Sequence, residues 1–132
     1  MIKVNGVIIL FCMLFLHIVD DYYLQGILSQ MKQKKWWEKN APDKLYENDY
    51  KVALVEHAFS WSFMIMLPLM VTMIISNDYS KLNAYTILLF SNCIIHTIVD
   101  DLKANKLKIN LVTDQYIHIL QVLFSFLIFN QF

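Results

Sequence analysis

Arginine is absent from this chain; all eleven basic residues are lysines. Planar, bidentate recognition of phosphates and base edges favours guanidinium over ammonium, so the composition argues against a dedicated nucleic-acid reader. Glycine is nearly absent too, with only Gly6 and Gly26, which leaves no room for a glycine-rich phosphate loop or a Gly-x-Ser-x-Gly nucleophile elbow. The two cysteines, Cys12 and Cys93, each fall within an apolar segment. They are expected to be buried thiols and not a disulfide pair, with Cys93 a minor ligand candidate three residues before His96.

What the chain has in excess is apolar surface: 58% of its 132 residues are hydrophobic, more than an ordinary soluble domain carries. Apolar segments are expected as helices at about residues 4–31, 52–76, 82–103 and 111–130, long enough to cross a hydrocarbon core of about 30 Å. The fold class this predicts is all-α: a single integral-membrane domain, a four-helix bundle with a lysine-rich cytoplasmic loop between helices 1 and 2. A soluble bundle of buried helices is the weaker alternative, because the lysines are so unevenly placed. Lys32, Lys34, Lys35, Lys39, Lys44 and Lys51 lie between the first two segments, Lys103, Lys106 and Lys108 between the last two, and only Lys3 and Lys81 elsewhere. With four spans, both lysine-rich loops fall on one side, which the positive-inside rule makes cytoplasmic. The expected location is therefore the inner (cytoplasmic) membrane, with both termini outside.

Local signals refine the segments. Lys3 and the run from Val7 to Leu16 imitate a signal peptide, but no small-residue cleavage site follows, so a retained span is expected. After Val19 the first segment turns amphipathic through Asp20, Asp21, Leu24, Gln25, Leu28 and Met31, as a helix leaving the bilayer along its surface would. Tyr22 and Tyr23, then Trp36 and Trp37 among the lysines, suit anionic lipid headgroups. Ala41-Pro42 should interrupt the connection, Asp49 should cap the second long helix, Pro68 should kink it, and Asn110 or Thr113 should cap the fourth.

The chain's four histidines each fall in a different apolar segment with a carboxylate nearby: His17 with Asp21, His57 with Glu56, His96 with Asp100, and His118 with Asp114. Three of these pairs are four residues apart, which stacks imidazole and carboxylate on one helix face. An Asp at the centre of a membrane helix costs about 2.5–3.5 kcal/mol on the insertion scale, so something must offset it. All the pairs also fall toward the lysine-rich ends of their segments, hence at one depth. Imidazole plus carboxylate without obligatory thiolate suits zinc first, then iron or manganese, and helical bundles build such sites from facing helices. The metal candidates are His17, Asp21, His57, His96, Asp100, Asp114 and His118, enough for one ion with supporting groups or for two. His57 is a ligand or general base, and Gln25, Lys103 and Gln115 are candidates to orient substrate or stabilise negative charge. Asp20, about 100° from Asp21 on an α-helix, is expected to be exposed or capping more than ligating, with the choice between the two adjacent carboxylates left open, and Glu56 to be an interfacial carboxylate before a general base. Phe59, Trp61, Phe63, Met64 and Met66 are expected to pack against lipid or core.

The ordered set His17-x-x-x-Asp21 with Leu24-Gln25, then His57, then His96-x-x-x-Asp100 with Lys103, then Asp114-Gln115-x-x-His118 resembles a bacterial and phage membrane-protein family catalogued as domain of unknown function 3307. The resemblance spans nearly the whole chain and implies a helical membrane fold with a polar site. A looser similarity to integral-membrane metal-dependent hydrolases implies hydrolysis. The leading expectation is a hydrolase acting on a lipid or lipid-linked ester or phosphoester, with membrane lipid as partner, no nucleic acid, and homo-oligomerisation left open. A metal-ion or proton carrier, and a non-catalytic phage or bacterial membrane protein with a structural polar core, are the alternatives.

Overall fold

The computed structural model of the chain describes residues 5–131; Lys3 and the expected start of the first span at residue 4 lie outside the described residues. Helix α1, Gly6–Ile18, opens on Asn5, whose side chain accepts the Val7 N–H at 2.9 Å, satisfying one of the donors a helix start leaves free. It passes directly into a π-helical segment, Val19–Leu24. Together they make a 19-residue stretch, Gly6–Leu24, roughly 28 Å long at the α-helical rise.

The expected surface continuation to residue 31 is not one helix. Gly26 takes φ +48°, a left-handed conformation that L side chains resist, and the chain turns there. Short helices α2 (Leu28–Met31) and α3 (Lys34–Asn40) follow, then Ala41-Pro42 and a 3₁₀ turn, Lys44–Tyr46. Helix α4, Asp49–Ser76, has Asn48 at its N-cap, so Asp49 is its first helical residue and not its cap. Asn77, at φ 50°, ends it, and the Asp78 N–H returns to the Met73 carbonyl at 3.1 Å, a left-handed helix stop. Helix α5 is Leu82–Ala104 and α6 is Leu111–Gln131. Asn110 caps α6, accepting the Thr113 N–H at 2.9 Å.

The described chain is all-helical, and four stretches are long and apolar enough to cross a membrane. Around the bundle, α4 packs on α1 and α5, and α6 on α5 and α1. Its interior has two ends. One is apolar: Met13, Ile65, Met66, Leu69, Met73, Tyr85, Val122 and Phe129 form a continuous cluster with Trp61. The other is polar. Outward faces are strongly apolar, with Phe11, Phe15, Ile87, Ile94 and Phe124 among many exposed large side chains, far beyond what soluble monomers usually expose. Cys12 lies on such a face and is exposed, contrary to expectation; Cys93 is buried.

Candidate metal centre

Each long helix delivers its polar residues to the same end through its own repeat. On α5, Asn92, His96 and Asp100 are four apart and all buried; on α6, Asp114, His118, Gln121 and Ser125 follow the three-four spacing and are buried too. Helix α4 brings His57 and Trp61. From the first stretch, His17, Asp20 and Asp21 are all buried, at 3%, 1% and 4% exposure. The burial of Asp20 overturns the expectation of an exposed or capping residue. The π-helical segment is the physical reason: wider i→i+5 turns rotate successive residues by less than an α-helix does, so two adjacent carboxylates face inward. Asp20 accepts a 2.7 Å hydrogen bond from the Ser60 hydroxyl.

The donor atoms converge at two neighbouring points. At one, His57 Nε2 lies 3.2 Å from His96 Nε2, 3.4 Å from Asp100 Oδ2 and 3.5 Å from Asp21 Oδ1, and His96 Nε2 is 3.7 Å from Asp100 Oδ2. At the other, His118 Nε2 lies 3.3 Å from Asp114 Oδ1 and 3.6 Å from Asp100 Oδ1. A tetrahedral ion with bonds of about 2.0–2.2 Å separates its donors by roughly 3.3–3.6 Å. The residues present therefore fit a divalent ion. Three groups of donors meet this spacing loosely: Asp21, His57 and His96; His96, Asp100 and His118; and Asp21, Asp114 and His118.

Hydrogen bonding fixes which way His118 points. Gln121 donates its amide to Asn92, both carbonyl and side chain, at 3.1 Å, so its Oε1 is left to accept from His118 Nδ1, also at 3.1 Å. The Nε2 lone pair of that tautomer then faces two carboxylate oxygens. His118 Nε2, Asp100 Oδ1 and Asp114 Oδ1 are all buried without a hydrogen-bond partner. Three such atoms facing one another need a positive charge between them, which either a proton on Nε2 or a metal cation supplies. A ring held from behind by an amide is also how metal-binding imidazoles are usually oriented.

A second relay organises the carboxylates. The Trp61 indole N–H donates to His17 Nδ1 at 2.9 Å, which leaves His17 Nε2–H to donate to Gln115 Oε1 at 3.1 Å. Gln115 in turn donates to Asp21 Oδ2 at 2.6 Å and Asp114 Oδ2 at 3.1 Å. His17 is thus inside the cluster but outside the three donor groups, with both ring nitrogens engaged. Two lysines complete the site: Lys32 Nζ is 2.6 Å from Asp100 Oδ2, and Lys103 Nζ is 2.5 Å from Asp114 Oδ2. Lys32 is 6% exposed, inserted from the end of α2. Asn105, the C-cap of α5, anchors that segment, donating to the Lys32 carbonyl at 3.1 Å and accepting the Lys34 N–H at 2.7 Å.

The structure brings Asp21, His57, His96, Asp100, Asp114 and His118 into one cluster, with Gln115 and Lys103 bonded to its carboxylates. Gln25 donates to the Asp21 backbone carbonyl and not to the cluster's side chains, and Glu56 is exposed. Sequence reasoning missed Lys32, read only as a charged loop residue, and Trp61, read only as packing. Trp61 stacks on His96 with ring centroids 4.3 Å apart, and His96 stacks on His118 at 4.1 Å. The one available signal for Trp61 was its position, four residues after His57 and so on the same helix face. No family model, curated protein or solved structure matches the chain.

Proposed function

We propose that this chain is a membrane-embedded, metal-dependent hydrolase that cleaves a lipid or lipid-linked ester or phosphoester at the cytoplasmic face of a bacterial inner membrane, with zinc as the first candidate ion. The observation that carries the metal is the convergence of Asp21, His57, His96, Asp100, Asp114 and His118 into three overlapping donor groups. Four apolar stretches of spanning length and lysine-rich connections at the polar end support the membrane placement and its orientation. The order of motifs supports membership in the family catalogued as domain of unknown function 3307.

A bound divalent ion supplies a Lewis acid and lowers the pKa of water to about 7. The chain supplies the rest. Trp61, His17 and Gln115 hold Asp21 and Asp114 in place, and Gln121 orients His118. Lys103, 27% exposed at its side chain, places a positive charge at the edge of the site for an anionic substrate group. In the hydrolysis, the water oxygen bonds to carbonyl carbon or phosphorus, the ester bond to the alcohol oxygen breaks, and a water proton ends on the leaving alcohol. His57 would serve as a donor to the ion through Nε2, which lies 3.5 Å from Asp21 Oδ1 and 3.4 Å from Asp100 Oδ2.

An apolar groove beside the site supports a lipid substrate. A groove of about 840 Å³ between α5 and α6 is lined by Ile87, Ile95, Ile117 and Phe124 together with Asn92 and Gln121, the pair that orients His118. An acyl chain in this groove lies against the site's hydrogen-bonded support. A carrier needs a polar path to the opposite face, and the apolar end of the bundle, with Met13, Ile65, Leu69 and Val122 fully or almost fully buried, disfavours one. Detergent-purified protein assayed for bound metal and for release of product from lipid esters and phosphoesters tests the reading. Bound metal and turnover are expected in wild type, with turnover lost and metal content reduced in His118→Ala; a folded wild-type protein without metal overturns it.

A further inference from the structure

We infer that the site is binuclear, with the Asp100 carboxylate bridging two divalent ions, and that its substrate class is the anionic phosphoester. This rests on the metal-hydrolase reading and goes beyond it in ion number and substrate charge. The two oxygens of Asp100 face different partners: Oδ2 faces His57 Nε2 and His96 Nε2, at 3.4 and 3.7 Å, and Oδ1 faces His118 Nε2, at 3.6 Å. Asp21 likewise belongs to two donor groups, one with His57 and His96, the other with Asp114 and His118. Six imidazole and carboxylate residues meet here at two points and not around one: four donors complete a tetrahedral site, and His57 and His118 face opposite oxygens of Asp100. Carboxylates that reach two ions hold them about 3.5–4 Å apart, the spacing of sites that clamp both attacking and leaving oxygens in an in-line displacement. The Lys32 ammonium does not exclude an ion from Oδ2, because each carboxylate oxygen accepts from two directions.

Charge then selects the substrate. With one dication, the ammoniums of Lys32 and Lys103 and the carboxylates of Asp20, Asp21, Asp100 and Asp114 balance to zero, and a neutral ester fits as well as an anion. A second dication leaves the buried centre two positive charges in excess, which the dianion of a phosphomonoester balances and a neutral carboxylic ester does not. The water attack then falls on phosphorus, the P–O bond to the lipid alcohol breaks, and that alcohol takes the proton.

The test uses the full chain in detergent, loaded with Mn²⁺, with ions counted by elemental analysis and their interaction read by electron paramagnetic resonance. Wild type should bind two ions per chain with a spin-coupled spectrum that inorganic phosphate alters. His57→Ala and His118→Ala should each retain one ion, uncoupled, with helical content and monodispersity unchanged; His57→Gln and His118→Gln serve where the alanine variant fails to fold. One ion per wild-type chain, or two without coupling, overturns the binuclear centre and leaves the hydrolase reading standing. No ion in folded wild type overturns both. Coupled ions whose spectrum ignores phosphate, with turnover of a carboxylic ester, overturn the substrate class.

Discussion

The two ends of the bundle are built from the same four helices but held together by different forces. At the apolar end, Ile65, Met66, Leu69 and Val122 interlock by shape, and each contact is weak, short-ranged and replaceable. At the polar end, Asp100 alone touches Lys32, His57, His96 and His118, and each charge is tolerable only because its partners are present. The apolar end should lose stability when trimmed while the site survives. The polar end should lose its purpose before, or together with, its stability.

Asp100→Ala should break the comparison most severely. It strands Lys32 without its carboxylate and opens the centre of the donor set, and removing one partner of a buried pair costs about 3–5 kcal/mol. Denaturant unfolding in detergent and elemental analysis should show a large stability loss and no metal. In the apolar end, Leu69→Ala should cost a similar or slightly smaller amount, about 2–5 kcal/mol, with metal content unchanged. A loss of metal there would mean the two ends are not separable. Gln115→Ala removes the clamp on Asp21 and Asp114 without removing a donor. Metal affinity measured by competition with a chelator should fall about 10- to 100-fold.

Lys32→Met sharpens the contrast by sign. Without the ammonium the carboxylates depend more on a bound ion, so chelator should lower the unfolding midpoint further in the variant than in wild type. The smallest effect should come from the outer faces. Cys12 is exposed on α1, so a membrane-permeant thiol reagent should label it in native protein and leave buried Cys93 unmodified, with metal retained.

Much of the candidate site was legible because a four-residue spacing is a local property. His96 with Asp100 and His118 with Asp114 are pairs in the chain and pairs in space, at 3.7 and 3.3 Å. Legibility stopped where the backbone left α-helical geometry or where the partner came from far away in sequence. Asp20 was misplaced because the π-helical segment breaks the 100° rule, and the first helix was overextended because a single Gly26 in a left-handed conformation turns the chain. Lys32 looked like its lysine neighbours, but the contacts of Asn105 with its backbone place it, alone among them, against the site.

The amino-acid sequence on its own determined the four long helices, which end of each carries the polar residues, and the identity of most donors, because helix periodicity and apolar length act within one segment. Only the tertiary structure decided the division of labour: His17 facing Trp61 and Gln115, Asp100 turned between two sets of imidazoles, Lys32 folded in from the connection. Those roles depend on which side chains meet across helices, and hydrogen-bond direction and charge balance exist only once they have met.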